Sequence, residues 1–271
     1  MRLTLVSLLC LLHFLQAEAR IDTLWVYSES MQKEIGTTII LPDNYDSTSW
    51  HYPVVYLLHG AGGDYGNWLR RVPLLEQYAS DHQFILACPD GGLTSWYLDS
   101  PIDSTYRYET YITSELLPTV DSLYRTQRSP SRRAITGLSM GGHGSLFLSL
   151  RHPNLFGLAG SMSGGLDLRP FPDNWDLPLR LGTFTASPEN WNSHSVVFIA
   201  CTITTPQHFI IDCGTSDFFL EANRALHSVF VSQDITHVYT ERLGGHNWSY
   251  WRESIVSHLA FFADEFSVYY D

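Results

Sequence analysis

The sequence predicts an α/β fold with a mostly parallel central sheet covered by helices on both faces. Short apolar runs alternate with helical patterns along the chain, the order expected of strands joined by helical crossovers. Two of the runs, "PVVYLLHG" and "FILACPDGG", read as strands buried on both faces, the first a continuous apolar run up to its His-Gly end. A composition 44% hydrophobic and 16% charged belongs to a globular chain, and no repeat, low-complexity segment or linker divides its 271 residues.

The elements follow in order. "TLWVYS" (23–28) and "GTTIILP" (36–42) are rich in β-branched and aromatic residues and read as strands. "PVVYLLHG" (53–60) and "FILACPDGG" (84–92) are buried strands, with a short helix over Leu74 to Asp81 between them. "RYETYITSELLPTVDSLY" (107–124) has helical spacing, with Tyr111, Leu116, Leu117, Val120 and Leu123 as its apolar stripe and a kink expected at Pro118. "RAITG" (133–137) is a strand and "MGGHGSLFLSLRHP" (140–153) a helix ended by Pro153. "LAGSMSG" (158–164) is another strand. Residues 166–193 show no sustained periodicity and hold several prolines, so they read as an insertion running over the surface, of the kind that is often functional. The strands "QHFIIDCG" (207–214) and "THVYTER" (236–242) flank the helix "FLEANRALHSVFV" (219–231), and "WSYWRESIVSHLAFFADEF" (248–266) closes the chain.

The first 19 residues have the layout of a secretory leader: Arg2, an apolar stretch from Leu3 to Leu15, and "AEA" at 17–19. The apolar stretch is shorter than the roughly 20 residues of a membrane span, so no stable membrane anchor is expected. Leu8 and Leu9 before Cys10 do not fit a lipoprotein signal. The expectation is an exported chain, cut near Ala19, whose residues 20–271 form a single domain. Cleavage leaves Cys88, Cys201 and Cys213, too few and too far apart for a disulfide framework or a CxxC metal site. A net charge of −12 argues against a nucleic-acid partner.

Chemistry concentrates at "AITGLSMGGHGSL" (134–146). Ser139 stands in a G-x-S-x-G pattern between a strand and a helix, the setting of a nucleophile elbow, and flanking glycines relieve crowding in so tight a turn. A serine hydroxyl needs a base. His246, in "LGGHNW" after the last strand, emerges at the carboxyl edge of the sheet, the same edge as Ser139. His143, four residues past Ser139, rides on the following helix, where its ring does not easily meet the serine oxygen. For the carboxylate that orients the base, "IIDCGTSDFF" offers two candidates. Asp217 lies beyond the strand end and is preferred, whereas Asp212 lies inside the strand as a supporting hydrogen-bond residue. The order Ser139, Asp217, His246 is that of an α/β-hydrolase. Oxyanion donors are expected from the amides of Met140 and of Ala61 in the glycine-rich "LLHGAGGDYGNW", a loop His59 would brace.

With these residues in place, the chain resembles the esterase D / putative esterase family of α/β-hydrolases, which includes S-formylglutathione hydrolases, feruloyl and acetyl-xylan esterases, and mycolyltransferases. The matching pieces include "YLLHGAGGDYGNW", "PDGGLTSWYLDSP", "RRAITGLSMGGHGSLFLSLRHPNLFG", "IDCGTSDFF" and "GGHNWSYW". The resemblance implies Ser139 as nucleophile, Asp217 and His246 as its partners, Ala61 and Met140 as oxyanion donors, and no metal or organic cofactor. It also marks "SWY" (95–97) as a cleft-lining segment, so Trp96 and Tyr97, with Trp248, are expected to bind substrate; Trp175 and Trp191 are further candidates for stacking. The expected substrate is a small acyl or aryl ester, free or borne on a plant polysaccharide. An S-formylglutathione hydrolase-like thioesterase, an acyltransferase, and a catalytically silent binding module stay open. Asn247-Trp248-Ser249 fits a glycosylation sequon, but a glycan beside the histidine would obstruct the cleft, so a chance match is expected.

Overall fold

The computed structural model describes residues 19–202 and 205–267, so the leader expected at 1–19 lies, but for Ala19, outside the described residues. Eight strands form one sheet: β1 (Arg20–Ser28), β2 (Lys33–Leu41), β3 (Val54–Leu58), β4 (Ile85–Pro89), β5 (Arg133–Gly137), β6 (Leu158–Met162), β7 (His208–Gly214) and β8 (His237–Arg242). Their spatial order is β1-β2-β4-β3-β5-β6-β7-β8. The pairings from β4 across to β8 are parallel, and β2 is antiparallel to both of its neighbours. The sheet is that of an α/β-hydrolase.

Two cores sandwich this sheet, and β3 shows how one strand serves both. Val54, Tyr56 and Leu58 point into one core while Val55 and Leu57 point into the other, all of them inaccessible to solvent. That is the period-two alternation of a strand with apolar surroundings on both sides, and each such burial contributes about 1.5–3 kcal/mol. The second core is roofed by α1 (Asn67–Arg71), α2 (Leu75–Asp81) and the closing helix, through Trp68, Leu75, Ile255 and Leu259. On the first face, α3 (Tyr108–Thr110) continues through a π-helical turn (Tyr111–Leu116) into α4 (Leu117–Leu123). The irregularity expected at Pro118 takes the form of that wider turn: proline lacks an N–H and its ring crowds the carbonyl of Ser114. Of the expected stripe, Tyr111, Leu116, Leu117 and Val120 are buried, but Leu123 is 60% exposed because the helix ends there.

The helix α5 (Met140–Arg151) runs through the first core. Residues 166–193 depart from the expected surface loop. They hold two short helices, α6 (Leu177–Leu181) and α7 (Pro188–His194), followed by α8 (Val196–Ile199). Leu166, Leu168, Leu177, Leu181 and Trp191 are fully buried in the core. A helix of five or seven residues completes too few turns to show a periodic pattern, so burial was invisible in the sequence. The chain continues through α9 (Leu220–Ser232) to α10 (Trp248–Ser267). Cys88, Cys201 and Cys213 are free thiols.

Candidate active site

The turn between β5 and α5 places Ser139 in a conformation that L-residues seldom adopt, φ 56° and ψ −117°. Two residues to either side of it, positions 137 and 141 have no room for a side chain. A Cβ on Gly137 would lie 2.6 Å from the Leu58 carbonyl oxygen, and one on Gly141 would lie 2.5 Å from the same atom. Ser139 donates its N–H to the Met162 carbonyl at 2.9 Å, anchoring the turn to β6. Its hydroxyl is thereby presented at the carboxyl edge of the sheet, where the loops after β7 and β8 also emerge.

Those loops bring the partners. His246 Nε2 lies 2.8 Å from Ser139 Oγ. His246 Nδ1 lies 3.0 and 2.9 Å from the two carboxylate oxygens of Asp217. Asp217, whose side chain is fully shielded, also accepts the Phe219 N–H at 2.9 Å. A carboxylate beside Nδ1 selects the tautomer protonated there and leaves Nε2 to accept from the serine hydroxyl. The imidazole is enclosed by Phe218, with ring centroids 4.2 Å apart, and by Trp251 at 4.9 Å, edge to face.

The other candidates fall elsewhere. Asp212 belongs to a separate buried network: its carboxylate accepts from Ser254 at 3.0 Å and from Arg242 at 3.3 Å, and it does not touch His246. His143 is completely buried, with Nδ1 3.1 Å from the Trp96 carbonyl and Nε2 2.8 Å from the His194 carbonyl. Burial pushes its pKa down to about 4; the two carbonyls oppose that shift without cancelling it.

Ser139, Ala61 and His246 line one cavity of about 360 Å³. The loop holding Ala61 is braced as expected by His59, whose Nε2 accepts the Gly91 N–H at 2.8 Å while Nδ1 faces the Gly60 carbonyl at 2.7 Å. Met140 opens α5, so its N–H has no acceptor within the helix.

The aromatic walls correct the expectation for Trp96 and Tyr97. Both are buried, at 1% and 0% exposure, and neither lines the cavity. Trp96 Nε1 donates to the Trp175 carbonyl at 3.3 Å, and Tyr97 donates its hydroxyl proton to the His59 carbonyl at 3.2 Å. They hold the lining from behind. Trp191 is likewise buried, bonded to the Gly182 carbonyl. Trp248 and Trp175 do line the cavity, joined by Phe218, Trp251, Asn67 and Arg71, which sequence reasoning missed. Phe218 stacks on Trp175 with centroids 5.6 Å apart, so the 166–193 segment supplies part of the wall. The adjacency of Phe218 to Asp217 was the one available signal. Asn247 of the sequon caps α10, its Oδ1 accepting the N–H groups of Ser249 and Tyr250 at 3.0 and 3.2 Å.

Among the described residues, no three His, Cys, Asp or Glu side chains gather to hold a metal ion, and no helix is long and apolar enough to cross a membrane.

A family model described as "Putative esterase" matches residues 28–262. An acetyl esterase of Caldicellulosiruptor saccharolyticus is 25% identical over 252 residues, covering 85% of this chain and 93% of that protein. An esterase of Mycobacterium tuberculosis is 32% identical over 152 residues; the match covers 54% of this chain and only 33% of that protein's length. Among solved structures, a ferulic acid esterase superposes with a TM-score of 0.80 at 25% identity, covering 92% of this chain and 99% of that one. An S-formylglutathione hydrolase from Staphylococcus aureus has a TM-score of 0.78 at 19% identity, covering 90% and 99%.

Proposed function

The chain belongs to the "Putative esterase" family, and from that premise we propose that it is an exported serine carboxylesterase acting on small acyl or aryl esters, including those carried by plant polysaccharides. One observation carries the proposal: Ser139, His246 and Asp217 are joined in a continuous hydrogen-bonded series beside an aromatic cavity. The names of the acetyl esterase and ferulic acid esterase relatives support the substrate class. Export rests on the leader pattern in residues 1–19.

In the proposed reaction His246 Nε2 takes the hydroxyl proton as Ser139 Oγ attacks the ester carbonyl. The tetrahedral oxyanion receives the amide N–H groups of Ala61 and Met140, and the loss of one such donor costs about 3–4 kcal/mol of transition-state stabilisation. Collapse expels the alcohol, which takes the proton back from His246, and leaves an acyl group on Ser139. Water then enters and attacks the acyl carbonyl, giving a proton to His246. The second tetrahedral intermediate breaks its bond to Ser139 Oγ, which takes that proton back from His246 as the acid is released. Asp217 stays ionised throughout and stabilises the imidazolium.

Ser139→Ala is expected to abolish hydrolysis of 4-nitrophenyl acetate while the circular dichroism spectrum is retained. Activity within about tenfold of the unmodified protein would remove Ser139 from the mechanism. A fluorophosphonate label separates enzyme from binding module, since only an activated serine is expected to react.

A further inference from the structure

Among the residues that line the cavity beside Ser139, Arg71 is the one that carries a permanent charge. It is the last residue of α1, and its guanidinium lies over the ring of Trp248, 5.7 Å from the centroid. No carboxylate among the described residues pairs with it. The neighbouring Arg70 is the one engaged by Asp64, at 2.7 Å. Asp217 is shielded and committed to His246. Arg252 donates its Nε–H to the Arg71 carbonyl at 2.7 Å, so a second cation reaches this end of α1. An unpaired arginine in an open cleft is conspicuous in a chain whose net charge is −12.

Screening limits the reach of the overall negative charge to about 8 Å at physiological ionic strength, so the local cation governs what settles in the cleft. The walls contributed by Trp175, Phe218, Trp248 and Trp251 carry few polar groups, and such low-dielectric walls focus its field. A guanidinium held against an aromatic face keeps its planar fork of donors ordered, and that fork matches a carboxylate with two parallel hydrogen bonds.

We infer that the ester this protein cleaves carries a carboxylate, which Arg71 holds while Ser139 attacks the ester carbonyl. This rests on the esterase function proposed above and narrows its substrate class. The anion belongs either to the acyl part, as in a half-ester of a dicarboxylic acid, or to the alcohol part, as in an ester on a uronate. Arg71 is a specificity residue here and takes no part in bond making.

Two matched pairs test the inference. In the acyl arm, mono-(4-nitrophenyl) glutarate is compared with neutral 4-nitrophenyl pentanoate; in the alcohol arm, 4-acetoxybenzoate is compared with neutral 4-acetoxybenzamide. The quantity read is the charged-to-neutral ratio of kcat/KM, in the unmodified protein and in Arg71→Gln, which cancels the intrinsic reactivity of each ester. The expected result is a fall of about tenfold in the ratio in one arm, mainly through KM, with Arg71→Lys intermediate. A fall of about threefold or more in either arm supports the inference and identifies which part bears the anion; a smaller change in both arms overturns it. A check independent of folding uses the unmodified protein alone. Its ratio in the responsive arm is expected to drop between about 20 and 500 mM NaCl, and a salt-independent ratio in both arms counts against Arg71. Hydrolysis of the esters with unaltered ratios overturns this inference only, whereas failure to hydrolyse any of the four esters overturns the esterase function as well.

Discussion

Asp217 presents both carboxylate oxygens to a single ring nitrogen of His246, at 2.9 and 3.0 Å from Nδ1, from a position with no solvent exposure. Solvent therefore does not compete for the bond that sets the tautomer of the imidazole. The same histidine reaches Ser139 with its other nitrogen, so the orientation of the serine's base depends on a side chain 29 residues upstream of it.

The two aspartates of "IIDCGTSD" are expected to respond in opposite ways. Asp217→Asn removes the charge facing Nδ1, and kcat/KM for 4-nitrophenyl acetate is expected to fall about 10³- to 10⁴-fold with little loss of stability. Asp212→Asn weakens the network with Arg242 and Ser254, away from the cavity. Its expected signature is an unfolding free energy lower by about 1–3 kcal/mol, with kcat/KM within about tenfold of the unmodified value. Urea titration and steady-state kinetics on both variants check this, and an Asp212 variant as inactive as the Asp217 variant would reverse the assignment.

The tryptophans divide in the same manner. Trp96 is 1% exposed and packs edge to face on His143, 5.3 Å between centroids. Trp96→Ala is expected to lower stability by about 3–5 kcal/mol, the cost of a large core cavity. Trp248 lines the cleft and packs against Trp68 and Trp251 at its base. Trp248→Ala is expected to raise KM for aryl esters several-fold more than for short aliphatic esters, at about 1–3 kcal/mol of stability. Equal effects on the two ester classes would make Trp248 a packing residue.

His143 ties both the 166–199 segment and the loop of Trp96 to α5, by facing the carbonyls of His194 and Trp96. Its folded-state pKa is depressed, from 6.5 to about 4, because the charged ring is excluded from water. A depressed pKa means that the unfolded chain binds the proton first, so stability is complete above pH 6.5 and is lost as the pH falls towards 4. The full cost is at most about 3 kcal/mol. His194 is shifted in the same direction by the same cause, burial, and adds to the slope. The urea midpoint measured from pH 7 to pH 4 is expected to fall more steeply for the unmodified protein than for His143→Gln. Parallel curves would show that His143 does not titrate on unfolding.

Two central strands were legible because a strand buried on both faces needs an unbroken apolar run, and Val54–Leu58 and Ile85–Pro89 lie inside the stretches so marked. Ser139 was legible because an elbow this tight admits only glycine at 137 and 141. His246 and Asp217 were legible because each follows a strand end, and chain order alone places such loops on one edge of a parallel sheet. The placement of aromatic rings was not legible: Trp96 and Trp175 look alike in sequence, and the difference between a wall and its backing depends on the 166–193 segment folding over the edge. The unpaired state of Arg71 was equally hidden, because the sequence does not say which of the adjacent Arg70 and Arg71 meets Asp64, and three-dimensional packing gives it to Arg70. Local sequence determined which backbone shapes and reactive groups this chain possesses, since apolar periodicity and turn conformation are set between near neighbours. Tertiary structure decided which side chains face the cleft and which charges remain unpaired, since both depend on contacts between residues far apart in the chain.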